Sequence, residues 1–433
     1  MTARVALLQF PGSNCETESA AALRRAGLEP VDFPWNRDPS ELSDCQAFFL
    51  VGGFSYEDRG RAGILASLDP IVEALAAEAA RGKPVLGICN GAQVLVESGL
   101  VPGLAGRRPG IGLAPNRRAA GGRFLGAGFY NGWCHLRVPA DSLATPFTGG
   151  LAGGPPLRVP YAHAEGRFLL APGLREEIEE RGLGVFRYCD AAGHLAPDAP
   201  TNPNGSTANL AGLTDPTGRI LALMPHPERV PAGDPLFASL ARFLAGESSN
   251  PPPAPPPLRT EVPAATVPAG TLAPNLARLP ISTIITDNAA VSVENALRHL
   301  GFSASVERRL LWEMPREGLP GDAVEQLTRT GELFNPNKER IDRRPPGPEE
   351  TTALLRVRPR EDLRGPATLS VLRESFGFSF PRELRESLLW ILHFPSAEAR
   401  AAEWPRLRSH PVFHNPVAEE AEDLSSLTSH EIL

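Results

Sequence analysis

The sequence predicts an α/β chain, with a doubly wound sheet over its first half followed by two small α+β repeats. Three observations carry this expectation. Short apolar runs alternate with helical patterns from Val5 to beyond Asn90, a proline-dense segment follows residue 246, and the region after it matches itself when displaced by 76 to 80 residues.

Val5–Phe10 reads as the first strand, followed by a helix near Thr17–Ala26, a strand at Ala47–Val51 and a helix near Leu68–Arg81. Pro84–Cys89 is then a strand and a helix opens at about Asn90, which is the βαβ rhythm of a parallel sheet with helices on both faces. The opening MTARVALLQF suits a first strand better than a signal peptide, and no apolar stretch approaches about 18 residues, so no membrane span is expected. After Gly99 the chain is richer in Gly and Pro, and RILALM at Arg219–Met224 is the last buried-strand candidate of this half. Loops at the carboxyl ends of such strands are where sites are built.

Glu247 to Pro280 holds ten prolines between Pro251 and Pro280 and little that could form a core. It reads as an extended, semi-rigid linker over residues 247–280, separating an N-terminal domain at 1–246 from a C-terminal region. One repeat, residues 281–345, contains VENALRHLGF (Val293–Phe302), RRLLWEM (Arg308–Met314) and GELFNPNKE (Gly331–Glu339). Its twin, residues 352–420, contains TLSVLRESFGF (Thr368–Phe378), ESLLWILHF (Glu386–Phe394) and HPVFHNPVAE (His410–Glu419). Val293, Ala296, Leu297 and Leu300 in one copy and Leu369, Leu372 and Phe376 in the other fall on one helical face. Strands are expected before each helix (Ser282–Thr286; Leu354–Arg358) and after it, around Leu311 and Leu389. A copy of about 60–70 residues is small for a core of its own, so the twins are expected to help each other bury one. The acidic residues 421–433 are expected to be a flexible tail.

Composition narrows the function classes. Cationic side chains number 43 against 50 anionic, 41 of them Arg and two Lys, and neither half is a basic footprint, so no nucleic-acid partner is expected. The 46 Pro and 41 Gly together stay below the range that signals disorder, and the Arg bias with the prolines outside the linker points to genome composition. Five cysteines without CxxC spacing fit neither a disulfide framework nor a zinc site, and suit a reducing cytoplasm.

The chemistry-bearing pattern is Gly87-Ile88-Cys89-Asn90-Gly91, between an apolar strand and a helix. Glycines two before and two after the central residue leave room in a tight strand-to-helix turn. Cys89 would project at a helix N-terminus, where amides and the helix dipole favour a thiolate. Taken alone, the pentapeptide also fits a buried cysteine at an ordinary turn. Met224-Pro225-His226-Pro227-Glu228-Arg229 adds the missing partners: a thiol nucleophile needs a base, and an imidazole needs a carboxylate to fix its tautomer. Two residues apart on an extended segment, His226 and Glu228 would point the same way. Gly52-Gly53, at another strand end, would let a backbone N–H turn toward an oxyanion, with the Asn90 amide as second donor.

These segments together resemble the triad-type (class I) glutamine amidotransferases, and within them the PurQ family, the glutaminase subunits of phosphoribosylformylglycinamidine synthase. The resemblance runs through FPGSNCETE (Phe10–Glu18), GGFSYEDRGRAG (Gly52–Gly63), GICNGAQVL (Gly87–Leu95), AHAEGRF (Ala162–Phe168), NPNGSTANLAGL (Asn202–Leu213) and MPHPER (Met224–Arg229). It implies Cys89 as nucleophile, His226 as general base and acid, Glu228 orienting it, Gly53 and Asn90 amides as oxyanion donors, and Gln93 near the glutamine substrate. It implies no cofactor in this chain, ATP and magnesium on a separate PurL-type synthetase subunit, and a cytoplasmic setting. Two departures stand out: the longer, glycine-rich run around Asn116–Arg137, and Glu57 where the family commonly has Gly. His163 matches a family motif but is assigned no catalytic step, its expected role being loop hydrogen bonding.

The C-terminal copies resemble PurS, a small accessory subunit that pairs as a dimer and bridges glutaminase to synthetase. Residues 281–433 carry no Cys, no His-carboxylate pair and no glycine-rich phosphate loop, which favours interaction over catalysis. Three alternatives stay open: an amidotransferase serving another acceptor, a non-catalytic assembly scaffold, and an unrelated duplicated domain in place of the PurS-like pair.

Overall fold

The computed structural model describes residues 2–247, 256–262 and 266–427. The chain divides into two units, Met1–Ala264 and Ala265–Leu433. Among the described residues no helix is long and apolar enough to cross a membrane.

In the first unit the strands are β1 (Arg4–Gln9), β2 (Glu29–Pro34), β3 (Ala47–Leu50), β4 (Val85–Ile88), β5 (Ile111–Pro115), β6 (Arg117–Ala120), β7 (Arg123–Ala127), β8 (Tyr130–Arg137), β9 (Leu157–His163), β10 (Glu165–Leu170), β11 (Phe186–Cys189), β12 (Leu210–Thr214) and β13 (Ile220–Leu223). The helices are α1 (Glu16–Arg25), α2 (Ile64–Ser67), α3 (Pro70–Ala80), α4 (Asn90–Glu97), α5 (Leu174–Glu180) and α6 (Asp234–Leu244). The main sheet runs β2-β1-β3-β4-β13-β12-β11-β8-β9. β3, β4 and β13 are buried at every residue, the signature of strands covered on both faces. Helix starts are set locally: Asp69 caps α3 by accepting from the Ile71 amide, with Pro70 fixed in a helical φ at the first position.

The wholly parallel sheet expected from the βαβ rhythm is corrected to a mixed one. β2, β1, β3, β4 and β13 are mutually parallel, whereas β12, β11, β8 and β9 join antiparallel. β8 alternates between covered and exposed positions, as a strand with one wetted face must, and so lacks the continuous apolar run that marks the parallel strands.

The second unit holds β14 (Leu276–Thr283), α7 (Asn288–His299), β15 (Ser305–Pro315), α8 (Ala323–Arg329), β16 (Glu339–Ile341), β17 (Thr352–Pro359), α9 (Arg364–Glu374), β18 (Arg385–His393), α10 (Ala397–Leu407) and β19 (Glu419–Asp423). One six-stranded sheet, β16-β14-β15-β18-β17-β19, joins both copies edge to edge through β15 and β18. The order reads as one copy followed by its mirror. At the join, Leu310 faces Leu388, and these are equivalent positions of the two Leu-Leu-Trp segments. The Asn-Pro turns match bond for bond. Glu339 accepts from the Asn335 amide and Glu419 from the Asn415 amide, both at 2.8 Å, while each Asn side chain accepts from the amide two residues on. Trp312, Met314, Leu279, Leu327, Leu372 and Leu384 share a buried cluster drawn from both copies.

Two expected boundaries change. Much of the supposed linker is packed: Leu258 is buried, and the Arg259 and Thr260 amides donate to Glu177 at 2.7 and 2.9 Å. Farther on, Gly270 donates to the Asp423 carbonyl, Asp423 to that of Pro268, and Leu276–Thr283 is already a strand. Proline suits such places because it has no N–H to leave unpaired. Pro280 lies just outside the β14–β16 ladder and needs only to accept, which it does from the Asp342 amide. Residues 248–255 and 263–265 lie outside the described residues. The expected flexible tail is likewise a strand at its start, where β19 pairs with β17 and Leu424 is fully buried; residues 428–433 lie outside the described residues.

Candidate active site

Because β1, β3, β4 and β13 are adjacent and parallel, the loops that follow them emerge at one edge of the sheet. They carry Cys15, Gly53, Cys89 and His226. Cys89 sits at φ 52° and ψ −107°, a strained conformation, immediately before α4. The flanking glycines permit it: a Cβ at Gly91 would overlap the Leu50 carbonyl, and one at Gly87 would overlap the Gly91 carbonyl. The Cys89 Sγ lies 3.6 Å from the Ala162 carbonyl oxygen.

His226 and Glu228 follow β13. The His226 ring and the Glu228 carboxylate are essentially inaccessible, and Nδ1 lies 2.6 Å from Oε1, so the proton on Nδ1 is donated to the carboxylate. The extended segment expected to carry the pair is instead a 3-10 turn over Pro227–Arg229, and the turn brings the two side chains together. The His226 amide is anchored on the Pro160 carbonyl at 2.8 Å. Burial alone would weaken the hold of the imidazole on its second proton, but the charges of Glu228 and Cys89, with the hydrogen bond to Glu228, outweigh it and raise its pKa to about 10. Nε2 makes no well-formed hydrogen bond, yet lies near enough to Cys89 for the sulfur to contribute to that shift. A thiol at a helix N-terminus, an imidazole and a buried carboxylate in sequence are the parts of a nucleophilic acyl-transfer site.

Gly53 adopts φ 147°, and a Cβ there would lie 2.7 Å from the Ser13 Cα, so this loop requires glycine. Asn90 ties the loop to α4: its Oδ1 accepts from the Ser55 amide and its Nδ2 donates to Asp58 and to Gln93. Burial raises the Asp58 carboxyl to about 6. Gln93, expected beside the substrate, has both ends of its amide engaged, accepting from Asn90 and donating to the Glu165 carbonyl at 2.6 Å. Glu57 adopts φ 56°, between Tyr56 and Asp58 that are also left-handed, which accounts for the preference for Gly there.

A family model for the CobB/CobQ-like glutamine amidotransferase domain matches residues 2–234. The PurQ subunit of phosphoribosylformylglycinamidine synthase from Methanothrix thermoacetophila is 44% identical over 227 residues, 52% of this chain and 86% of that one. The chain belongs to the PurQ family of glutamine amidotransferases. The PurQ subunit of Symbiobacterium thermophilum is 40% identical over 250 residues, covering 56% of this chain and 97% of its own. A chain of the PurLQS structure from Thermotoga maritima shows 30% identity and a TM-score of 0.44, covering 56% of this chain and all of that one. As a PurQ-family member the protein is a glutamine amidotransferase subunit of phosphoribosylformylglycinamidine synthase.

The run that departs from the usual PurQ pattern is a β-hairpin. β6 and β7 pair with Ala120 opposite Arg123, and Gly121 and Gly122 both have positive φ, as a two-residue hairpin turn requires. The Gly-Gly between flanking strand residues is the signal that sequence reasoning passed over. Asn116, at its base, is fully buried and donates to the carbonyls of His163 and Gly128. Its Oδ1 lies 3.2 Å from His163 Nδ1. Burial, with the nearby His226 charge, lowers His163 to about 3, so it is a neutral ring held in the loop.

Cys15 was also missed. Its Sγ, 3.1 Å from Arg229 Nη2, lies beside Gly52, where a Cβ would meet both this sulfur and the His226 ring at 3.0 and 3.1 Å. Burial raises its thiol to about 12.

Proposed function

We propose that this PurQ-family chain releases ammonia from glutamine through Cys89, His226 and Glu228 and delivers it to a separate ATP- and magnesium-dependent PurL-type synthetase. Cys89 Sγ attacks the side-chain amide carbon, forming a C–S bond, and the Gly53 and Asn90 amides receive the charge on oxygen. His226 passes its proton to the leaving nitrogen as the C–N bond breaks, and Glu228 holds the ring in the tautomer this needs. Water then attacks the thioester, giving glutamate and restoring Cys89. Asn90 and Gln93 brace the wall of the substrate pocket. The observation that carries the reading is the buried 2.6 Å contact of His226 with Glu228, just past the strand β13 that pairs with β4, the strand leading into the strained Cys89 turn.

The second unit serves, in this reading, as a PurS-like bridging pair fused into one chain. Its two copies joined through β15 and β18 support it. Replacing Cys89 with Ala is expected to abolish glutamine-dependent synthesis by the reconstituted complex while sparing synthesis from added ammonia. Loss of both would refute the division of labour.

A further inference from the structure

Cys15 has no step in the proposed glutaminase reaction, yet it shares a buried corner with two groups that have one. Cys15, His226 and Glu228 each offer a ligand atom, and these atoms lie within 4.8 Å of one another. Glu228 spends Oε1 on His226, while Oε2 is buried with no hydrogen-bond partner. A buried carboxylate oxygen without a donor is rare and calls for a physical reason. We propose that Cys15, His226 and Glu228 form an inhibitory site for a thiophilic divalent cation of the Zn²⁺ class.

The donor set decides the class. Sulfur, nitrogen and carboxylate oxygen suit zinc, whereas Mg²⁺ and Ca²⁺ take oxygen ligands. Around a tetrahedral zinc, ligand atoms stand about 3.5 Å apart, so the cluster closes on the ion with shifts of roughly 1 Å, and water takes the fourth position. Arg229 opposes the ion, with Nη2 3.1 Å from the Cys15 sulfur and Nε 3.9 Å from Glu228 Oε1, but its contact with Glu18 at 3.3 Å gives the guanidinium a carboxylate to turn to when the ion arrives. Binding displaces the thiol proton and an imidazole proton to solvent, and it takes from His226 the lone pair and the carboxylate that proton transfer uses. Zinc therefore blocks turnover without touching Cys89.

Inhibition rests on the proposed glutaminase reading; metal binding does not, so the two are measured separately. Zn²⁺ is titrated against a colorimetric chelator into the full chain, into Cys15→Ser and into Cys89→Ala. The native chain and Cys89→Ala are expected to hold one equivalent with similar affinity, and Cys15→Ser to bind at least tenfold more weakly. Zinc-edge X-ray absorption on Cys89→Ala is expected to show one sulfur ligand, which keeps the test valid should Cys15→Ser fold poorly. In the reconstituted complex, Cys15→Ser should retain glutamine-dependent synthesis and lose zinc sensitivity. Undiminished zinc affinity in Cys15→Ser, or no sulfur ligand in Cys89→Ala, overturns the site. Zinc bound through Cys15 without inhibition overturns its regulatory effect alone.

Discussion

Glu228 sets the charge of His226, and the consequence has a definite sign in pH. The folded imidazole is held near 10, above its ordinary value of about 6.5, because the neighbouring charges outweigh burial. A group raised in this way adds stability that is complete below about pH 6.5 and is lost as pH rises through about 10. Glu228→Gln preserves the shape and removes the charge. The denaturation midpoint of the variant should then lose the alkaline decline expected of the native chain between pH 7 and 10, while glutamine-dependent turnover drops on the order of 10³-fold. A variant keeping the native pH profile would show that the carboxylate does not govern the ring. At this scale Cys89, His226 and Glu228 were legible because each lies in a short motif whose chemistry demands the other two. Cys15 was not: it lies 211 positions from His226, and the two meet only because the loops after β1 and β13 leave the same edge of the sheet and converge over Gly52, which no local spacing encodes.

The element that makes the site is the β4–α4 turn, and its tolerance is fixed by backbone, which cannot give way as a side chain can. A methyl at Gly91 would overlap the carbonyl of Leu50 in β3, so Gly91→Ala should destabilise the first unit by roughly 3 kcal/mol or more, in the range of severe packing defects. At Gly27, where φ is 77° and a Cβ meets nothing within 4 Å, the same change should cost only about 1 kcal/mol. Comparing the two by urea denaturation separates crowding from backbone strain; equal losses would remove the close-approach argument. The parallel strands were legible because covered strands are continuous apolar runs. β8, β9 and the β6–β7 hairpin were not, since Gly121, Gly122, Gly126, Gly132 and Pro160 interrupt them and their apolar Phe124, Leu125 and Trp133 are exposed, so no continuous buried run marks them.

For the chain as a whole, the duplication matters more than the proline count. The repeat was visible as Leu-Leu-Trp and Asn-Pro at a fixed offset, but the way the copies combine was not, because a strand edge has no sequence mark for the edge it meets. The structure joins β15 to β18 about the Leu310–Leu388 pair, and the buried cluster includes Trp312 of one copy with Leu372 and Leu384 of the other. Neither copy then has a complete core alone, and the second unit should unfold in one step. Trp312→Ala and Trp390→Ala, each removing a buried ring at a cost of about 3–5 kcal/mol, should therefore have the same consequence although they lie in different copies. Hydrogen exchange is expected to show protection lost together across β14 to β19 in either variant, with β1, β3, β4 and β13 retaining theirs. Protection lost in only the copy that carries the substitution would mean that the repeats are independent domains lying side by side, and the covalent pair would no longer count as a single folding unit.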